Sequence, residues 1–406
     1  MVLICGEVYK NEVIICFLER TDGIWKGEGL NISVKSYEPT FVRLNVIKSH
    51  QKYTFTSDTG RKRTCSVSRE IKTGWVVACN NRHTIKTCTI WPKIWKRPAD
   101  VVFHLGDQIY ADRIYWRWQE CLQFKSEKTW HKCKDKIQKE YVREYIETWE
   151  PLAGILSHTS NIMIPDDHEM RDRAYVWEKP EKDEPHTKRL KHFLYQTALE
   201  VAGRLYLGLR LTNKTKFDYC RNIGNTSIVM HERVSHPFMC DEFQNSVKAS
   251  LPHLKDNVFW LGALPPFKTY SHFVERFLYG HEENIPFKLY DDLYELFHSD
   301  KKRNVIFIGG DLHAGTYGNI KKKDSEELIG KYHVTGPSSG FCPIYLTKDA
   351  LSDTRDYYLE IESFRPSDVN AVWIDLENFK SQHVFKQYWI AEALQNVLST
   401  AWVFWG

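Results

Sequence analysis

A chain of 406 residues exceeds one ordinary domain, which predicts a large domain accompanied by a smaller one. Its composition, 42% hydrophobic and 27% charged with 14 tryptophans, excludes a disordered chain and supplies a substantial core. With 56 basic against 52 acidic residues the net charge is only +4, so neither a broad polyanion-binding field nor a specific nucleic-acid partner is expected.

The first seven residues, Met1 to Glu7, lack a basic stretch followed by a long apolar run, so no signal peptide is expected. No segment reaches the roughly 18 uncharged apolar residues that a spanning helix needs. The ten cysteines are scattered and form no Cys-x-x-Cys pair, which fits free thiols in a reducing setting. A cytoplasmic location without a transmembrane segment is therefore expected.

From residue 1 to about 70 the pattern is β-rich. Val8-Tyr9, Val13–Leu18, Leu30–Val34, Phe41–Ile47 and Tyr53–Thr56 are short apolar or alternating runs, separated by turn chemistry at Asp22-Gly23, Gly27–Gly29 and Asp58–Gly60. This predicts a small antiparallel β-sandwich over residues 1–70. The basic runs Arg61–Arg63 and Lys321–Lys323 read as solvated loops.

Beyond residue 71 short, continuous apolar runs alternate with helical segments, the signature of an α/β layered fold with buried strands. The runs are Trp75–Ala78, Val101–Leu105, Ile162–Ile164, Ser227–Met230, Val258–Leu261 and Val305–Ile308. Tyr141–Leu156 and Lys188–Leu207 carry apolar residues at i, i+3 and i+4, which predicts amphipathic helices. Trp389–Trp405 reads as a further apolar helix, packed on the core or, alternatively, meeting a membrane or a partner. Residues 71–406 are thus expected to form one catalytic domain with a C-terminal extension.

Chemistry gathers where these strands end. Ala78 is followed by Cys79-Asn80, Leu105 by Gly106-Asp107 with Tyr110 three residues on, Ile164 by Pro165-Asp166-Asp167-His168-Glu169, and Ile308 by Gly309-Gly310-Asp311-Leu312-His313. Ligands of open α/β sheets bind at the carboxyl ends of strands. Carboxylate, imidazole, thiolate and phenolate are metal ligands, and two metals about 3.5–4 Å apart can clamp an in-line displacement at phosphorus. The glycines ahead of Asp107 and Asp311 are expected to let the backbone turn sharply. Asp-Asp-His-Glu alone equally describes a helix N-cap with an acidic first turn, and Cys79 alone a buried small hydrophobe.

Taken in order, these motifs resemble the calcineurin-like metallophosphoesterases, with three departures: Cys79-Asn80 in place of Asp-x-His, Tyr110 in place of the second Asp of Gly-Asp-x-x-Asp, and Asp311 in place of the first His of Gly-His-x-His. Those departures resemble the alkaline phosphatase D (PhoD-like) branch, whose motifs are a strand-end Cys, Gly-Asp-x-x-Tyr, Asp-Asp-His-Glu and Gly-Asp-x-His. The resemblance covers residues from about 70 to 345. It implies a layered β-sheet sandwich flanked by helices and preceded by a small N-terminal β-sandwich.

By the same resemblance, Cys79, Asp107, Tyr110 and His313 ligate one metal, ferric iron in bacterial relatives, which suits thiolate and phenolate donors. Asp107 bridges to a second site completed by Asp167 and Asp311, where calcium is expected and zinc, manganese or magnesium also fit. His168 acts as general acid or orients the phosphate, with Glu169 or Asp112 as its partner. Arg171 and Asn80 are candidates to contact the phosphate, Arg171 alternatively serving a structural salt bridge. His231 is either a further ligand or an ordinary polar strand end. The implied activity is hydrolysis of phosphate mono- or diesters by a hydroxide activated at a dinuclear metal centre. Rival readings are a phospholipase D-like or nucleotide phosphodiesterase, a non-catalytic binding protein that kept the fold, and a hydrolase acting on a carbonyl centre.

Overall fold

The computed structural model describes residues 1–78, 90–171, 184–232, 241–267, 287–311, 315–335, 356–365 and 369–386. The strands, in chain order, begin with β1 (Val2–Tyr9), β2 (Glu12–Leu18), β3 (Gly23–Gly27), β4 (Leu30–Val34), β5 (Thr40–Asn45), β6 (Gln51–Ser57) and β7 (Lys62–Val67). Then come β8 (Thr73–Val77), β9 (Val101–Leu105), β10 (Ser160–Ile164), β11 (Tyr219–Ile223), β12 (Thr226–His231), β13 (Asn257–Gly262) and β14 (Asn304–Gly309). The last are β15 (Gly315–Lys322), β16 (Leu328–Val334), β17 (Tyr357–Arg365), β18 (Val369–Asp375) and β19 (Lys380–Lys386). The helices are α1 (Trp91–Lys96), α2 (Asp112–Leu122), α3 (Glu127–Trp149), α4 (Ala153–His158), α5 (Pro185–Gly208), α6 (Asp241–Ser250) and α7 (Phe287–Leu296). Two compact units result, the first mainly Met1–Ile71 and Pro98–Phe217, the second mainly the chain after Asp218 together with β8 and α1.

In the first unit, two antiparallel sheets, β1-β2-β5 and β4-β3-β6-β7, share one core drawn from residues 1 to 67. Trp25, Phe17 and Phe55 lie at its centre, and the Phe17 and Phe55 rings meet edge to face at 4.9 Å. Each such side chain contributes about 1.5–3 kcal/mol by leaving water. The first strand starts six residues earlier than the run at Val8-Tyr9, because Val2–Glu7 is buried on both faces and so shows no alternation. Lys62-Arg63 and Lys321-Lys322 are not loops: they lie on β7, at exposed positions, and on β15, at half-buried ones, where strand residues that reach solvent carry charge as readily as a loop does.

The same unit contains the parallel pair β9 and β10, in register from Val101 opposite Ser160 to Leu105 opposite Ile164. Both strands are buried at every position, which is why Val101–Phe103 and Ile162–Ile164 read as apolar runs; the buried His104, Ser160 and Asn161 are the polar exceptions. The loops that follow them therefore leave one edge at one level. The helical stretch around Tyr141–Leu156 begins earlier, at Glu127, and breaks at Pro151, which has no backbone N–H; a 3₁₀ turn at Glu150–Leu152 leads into α4. Helix α5 spans Pro185–Gly208, as the periodicity predicts.

The second unit contains a seven-stranded sheet in the order β11-β12-β13-β14-β16-β15-β17, in which β12, β13, β14 and β16 are parallel. Strand β18 pairs antiparallel with β8 and with β19. A core of Trp260, Phe267, Leu293, Tyr294, Phe297 and Phe307 covers the larger sheet. The expected C-terminal helix Trp389–Trp405 lies outside the described residues. Among the described residues no helix is long and apolar enough to cross a membrane.

Candidate metal centre

The aligned ends of β9 and β10 bring together Asp107, Asp167 and His168, whose ligating atoms lie within 4.8 Å of one another. Gly106 turns the first loop with φ at +98°; a Cβ there would stand 2.3 Å from the Cβ of Asp166. Only glycine gives both the conformation and the room. Asp107 itself then takes φ of +54°. For a residue other than glycine this left-handed backbone costs about 1–3 kcal/mol and persists where its surroundings hold it.

Those surroundings are one carboxylate. Glu169 Oε2 accepts the backbone N–H of Asp107 at 3.1 Å and of Asp166 at 2.8 Å, and Oε1 accepts that of Gln108 at 2.6 Å. Asp166 caps the short 3₁₀ turn Asp167–Glu169 reciprocally, so the N-cap reading of Asp-Asp-His-Glu describes the backbone while Asp167 and His168 join the cluster. Burial, then the Asp107 charge, raise the Glu169 carboxyl, while the Gln108 and Asp166 N–H donors and the Tyr206 hydroxyl hold it down.

His168 is partnered by Asp112, the first residue of α2, with 2.9 Å between Nδ1 and Oδ2. Glu169, the other expected partner, is occupied by the backbone. Burial opposes the imidazolium, yet Asp112 and Asp107 outweigh it and hold His168 well above the usual histidine range. Tyr110 stacks obliquely on His168, with centroids 4.4 Å apart, and its hydroxyl stands 3.5 Å from Asp107 Oδ2. The Arg171 guanidinium lies over the Tyr115 and Trp116 rings at 5.5 and 5.4 Å.

Asp107, Asp166, Asp167 and Glu169 are all buried within these two loops. Glu169 is held by its hydrogen-bond donors, whereas the carboxylates of Asp107 and Asp167 form an oxygen-rich pair that fits a divalent or trivalent metal, with the His168 ring beside it. In the second unit, β12, β13 and β14 end level at His231, Gly262 and Gly309, and Asp311 follows two residues later. There the expected turn falls on a different residue. Asp311 itself has φ of +65°, Gly310 is not left-handed, and Gly309 is required because a Cβ would meet the Leu264 carbonyl at 2.4 Å. His231 is buried, with Nδ1 3.4 Å from Asp218. Cys79, Asn80 and His313 lie outside the described residues.

The strand order and the loop-borne carboxylates define a fold of the metallophosphoesterase type. Residues 74–201 match the family of PhoD-like phosphatases, a segment that includes Asp107, Tyr110, Asp167, His168 and Arg171. A solved structure of PhoD is similar over 99% of this chain and 97% of its own, at 12% identity and a TM-score of 0.60. The purple acid phosphatase PPD1 from yellow lupin seeds is similar over 97% of this chain and 75% of its own, at 11% identity and a TM-score of 0.52. The curated proteins contain no match. The matched segment agrees with the PhoD-like resemblance of the sequence and supports a phosphoester hydrolase, and the two solved structures agree with the expected fold.

Two participants escaped sequence reasoning: Tyr206 and Tyr145 sit on helices and gave no signal, because the helical pattern accounts for them as core. Asp166 takes the place that the N-cap reading of Asp-Asp-His-Glu gives it.

Proposed function

We propose that this protein hydrolyses phosphate mono- or diesters, small phosphate esters being the substrate class and phospholipid or nucleotide diesters the variant substrates to compare. The observation that carries this reading is the gathering of Asp107, Asp167 and His168 on two loops, with Asp112 orienting the histidine. A retained binding fold has no need of an imidazole oriented by a carboxylate, so the intact pair supports catalysis.

Asp107 and Asp167 would hold metal. On sequence grounds alone Cys79, Tyr110, Asp311 and His313 are further ligands, with ferric iron on the thiolate and phenolate and calcium on the oxygen donors. Metal bound there supplies Lewis acidity and lowers the pKa of water. His168 keeps Nδ1 on Asp112 and so presents Nε2 to give a proton to the departing oxygen. The rings of Tyr115 and Trp116 hold Arg171 beside this segment, and its guanidinium together with Asn80 is assigned to the phosphate. Residues 1–70 act as a β-sandwich domain ahead of the catalytic domain 71–406. The free thiols Cys5, Cys16, Cys65, Cys121, Cys133 and Cys220 fit a cytoplasmic setting.

Parallel assays of 4-nitrophenyl phosphate and bis(4-nitrophenyl) phosphate test the reading. The wild type turns over at least one, and Asp107→Asn loses at least about 10²-fold in kcat. Wild-type turnover that Asp107→Asn leaves intact overturns it.

A further inference from the structure

The Glu169 carboxylate reaches beyond the two loops it ties. Its Oε1 also accepts the hydroxyl of Tyr206 on α5 at 2.8 Å, and the Tyr206 oxygen lies 2.9 Å from the hydroxyl of Tyr145 on α3. The Tyr206 proton points at Glu169, so Tyr145 must donate to Tyr206, and the three groups form a chain of donors running in one direction. All three side chains are buried. Four donors on one carboxylate are more than a capping box needs. Two of them, the amides of Asp107 and Gln108, belong to the other loop, and one of those residues has a left-handed backbone.

We propose that Glu169, backed by Tyr206 and Tyr145, is the positioning residue of this site: it fixes the spacing of the Asp107 and Asp167 loops and thereby the affinity for metal. The inference rests on the metal-dependent reading above. Glu169 touches neither phosphate nor metal in this role, and acts through the backbone of residues that do. A glutamine of the same shape would put an amide N–H₂ against at least one N–H donor, so the loops must part. A phenylalanine at 206 removes one donor and leaves the other three.

Hydrogen exchange of the full-length, metal-free protein tests this, with Mn²⁺ binding followed by titration calorimetry. In Glu169→Gln, peptides covering residues 105–109 and 164–169 are expected to exchange about 10–100-fold faster, while peptides from β1 to β7 keep their rates. Mn²⁺ affinity falls by about 10–100-fold, and kcat falls with little change in KM. Tyr206→Phe moves the same peptides in the same direction by less, and Tyr145→Phe by less still. Because Tyr206→Phe keeps every apolar contact, it carries the test should Glu169→Gln not fold. Unchanged exchange in the two loop peptides, or uniform loss of protection with unchanged Mn²⁺ affinity, overturns the proposal. The exchange and Mn²⁺ readouts need no turnover: a protein that gives the expected changes yet hydrolyses no phosphoester refutes the function and leaves the role of Glu169 standing.

Discussion

Nδ1 of His168 lies 2.9 Å from Oδ2 of Asp112, a residue placed at the start of α2, one loop away from the histidine it orients. The hydrogen bond fixes the orientation of the ring and turns Nε2 away from Asp112. Two further contacts brace the pair: the Ala111 N–H donates to the His168 carbonyl at 2.9 Å, and Tyr110 packs on the imidazole.

Asp112→Asn keeps the shape and removes the charge. The expected result is a fall in kcat of about 10–100-fold with KM little altered, since the ring is misoriented rather than lost. Steady-state kinetics against the wild type check this; an unchanged kcat would remove His168 from proton transfer.

Gly106→Ala strains the backbone and drives a methyl group into Asp166. A loss of about 2–4 kcal/mol in unfolding free energy is expected from the combined strain and overpacking. Activity should fall further than stability does, because the Asp107 and Asp166 loops are the ones displaced. Urea unfolding and kcat measured on one preparation separate the two effects.

A pH dependence of stability follows from the second unit. His333 and His383 meet with their Nδ1 atoms 3.4 Å apart, while their Nε2 atoms reach Ser381 and Asn370. Burial, then Lys331, holds His333 down at about 3; burial, then His333 and Arg365, keeps His383 well below the usual range. The folded protein therefore binds fewer protons than the unfolded chain between the unfolded value of about 6.5 and the folded value. Stability is complete above about pH 6.5 and declines as pH falls towards the folded values. Between pH 7.5 and 5.5 His333 should account for about 1 kcal/mol of that decline. Urea unfolding of His333→Asn at both pH values should show the difference reduced by this amount.

The strands that position the centre were legible because they are buried on both faces: Val101–Leu105, apolar but for His104, and Val305–Ile308 are apolar runs followed by glycine and aspartate. Much else was hidden. Strand β3 contains glycines at both ends, so it read as turns, and β15 and β17 mix polar with apolar residues on strands only partly buried. The backbone turn at Asp311 was assigned to the glycine before it, because sequence shows where glycine is permitted and not whether an aspartate will take φ above zero. The motifs named Asp107, Asp167 and His168, whereas choosing Asp112 over Glu169 needed the fold. Tyr206 and Tyr145 could not have been found, since a buried tyrosine at helical spacing carries no mark of what its hydroxyl reaches.

The most direct measurement is elemental analysis of the purified protein, read with its visible spectrum and its phosphoesterase activity before and after chelation. The account predicts about two bound metals per chain, colour from tyrosinate or thiolate on ferric iron, activity lost to chelator, and activity restored by added metal. A colourless, metal-free protein that gains no phosphoesterase activity from iron, calcium, zinc or manganese would contradict it.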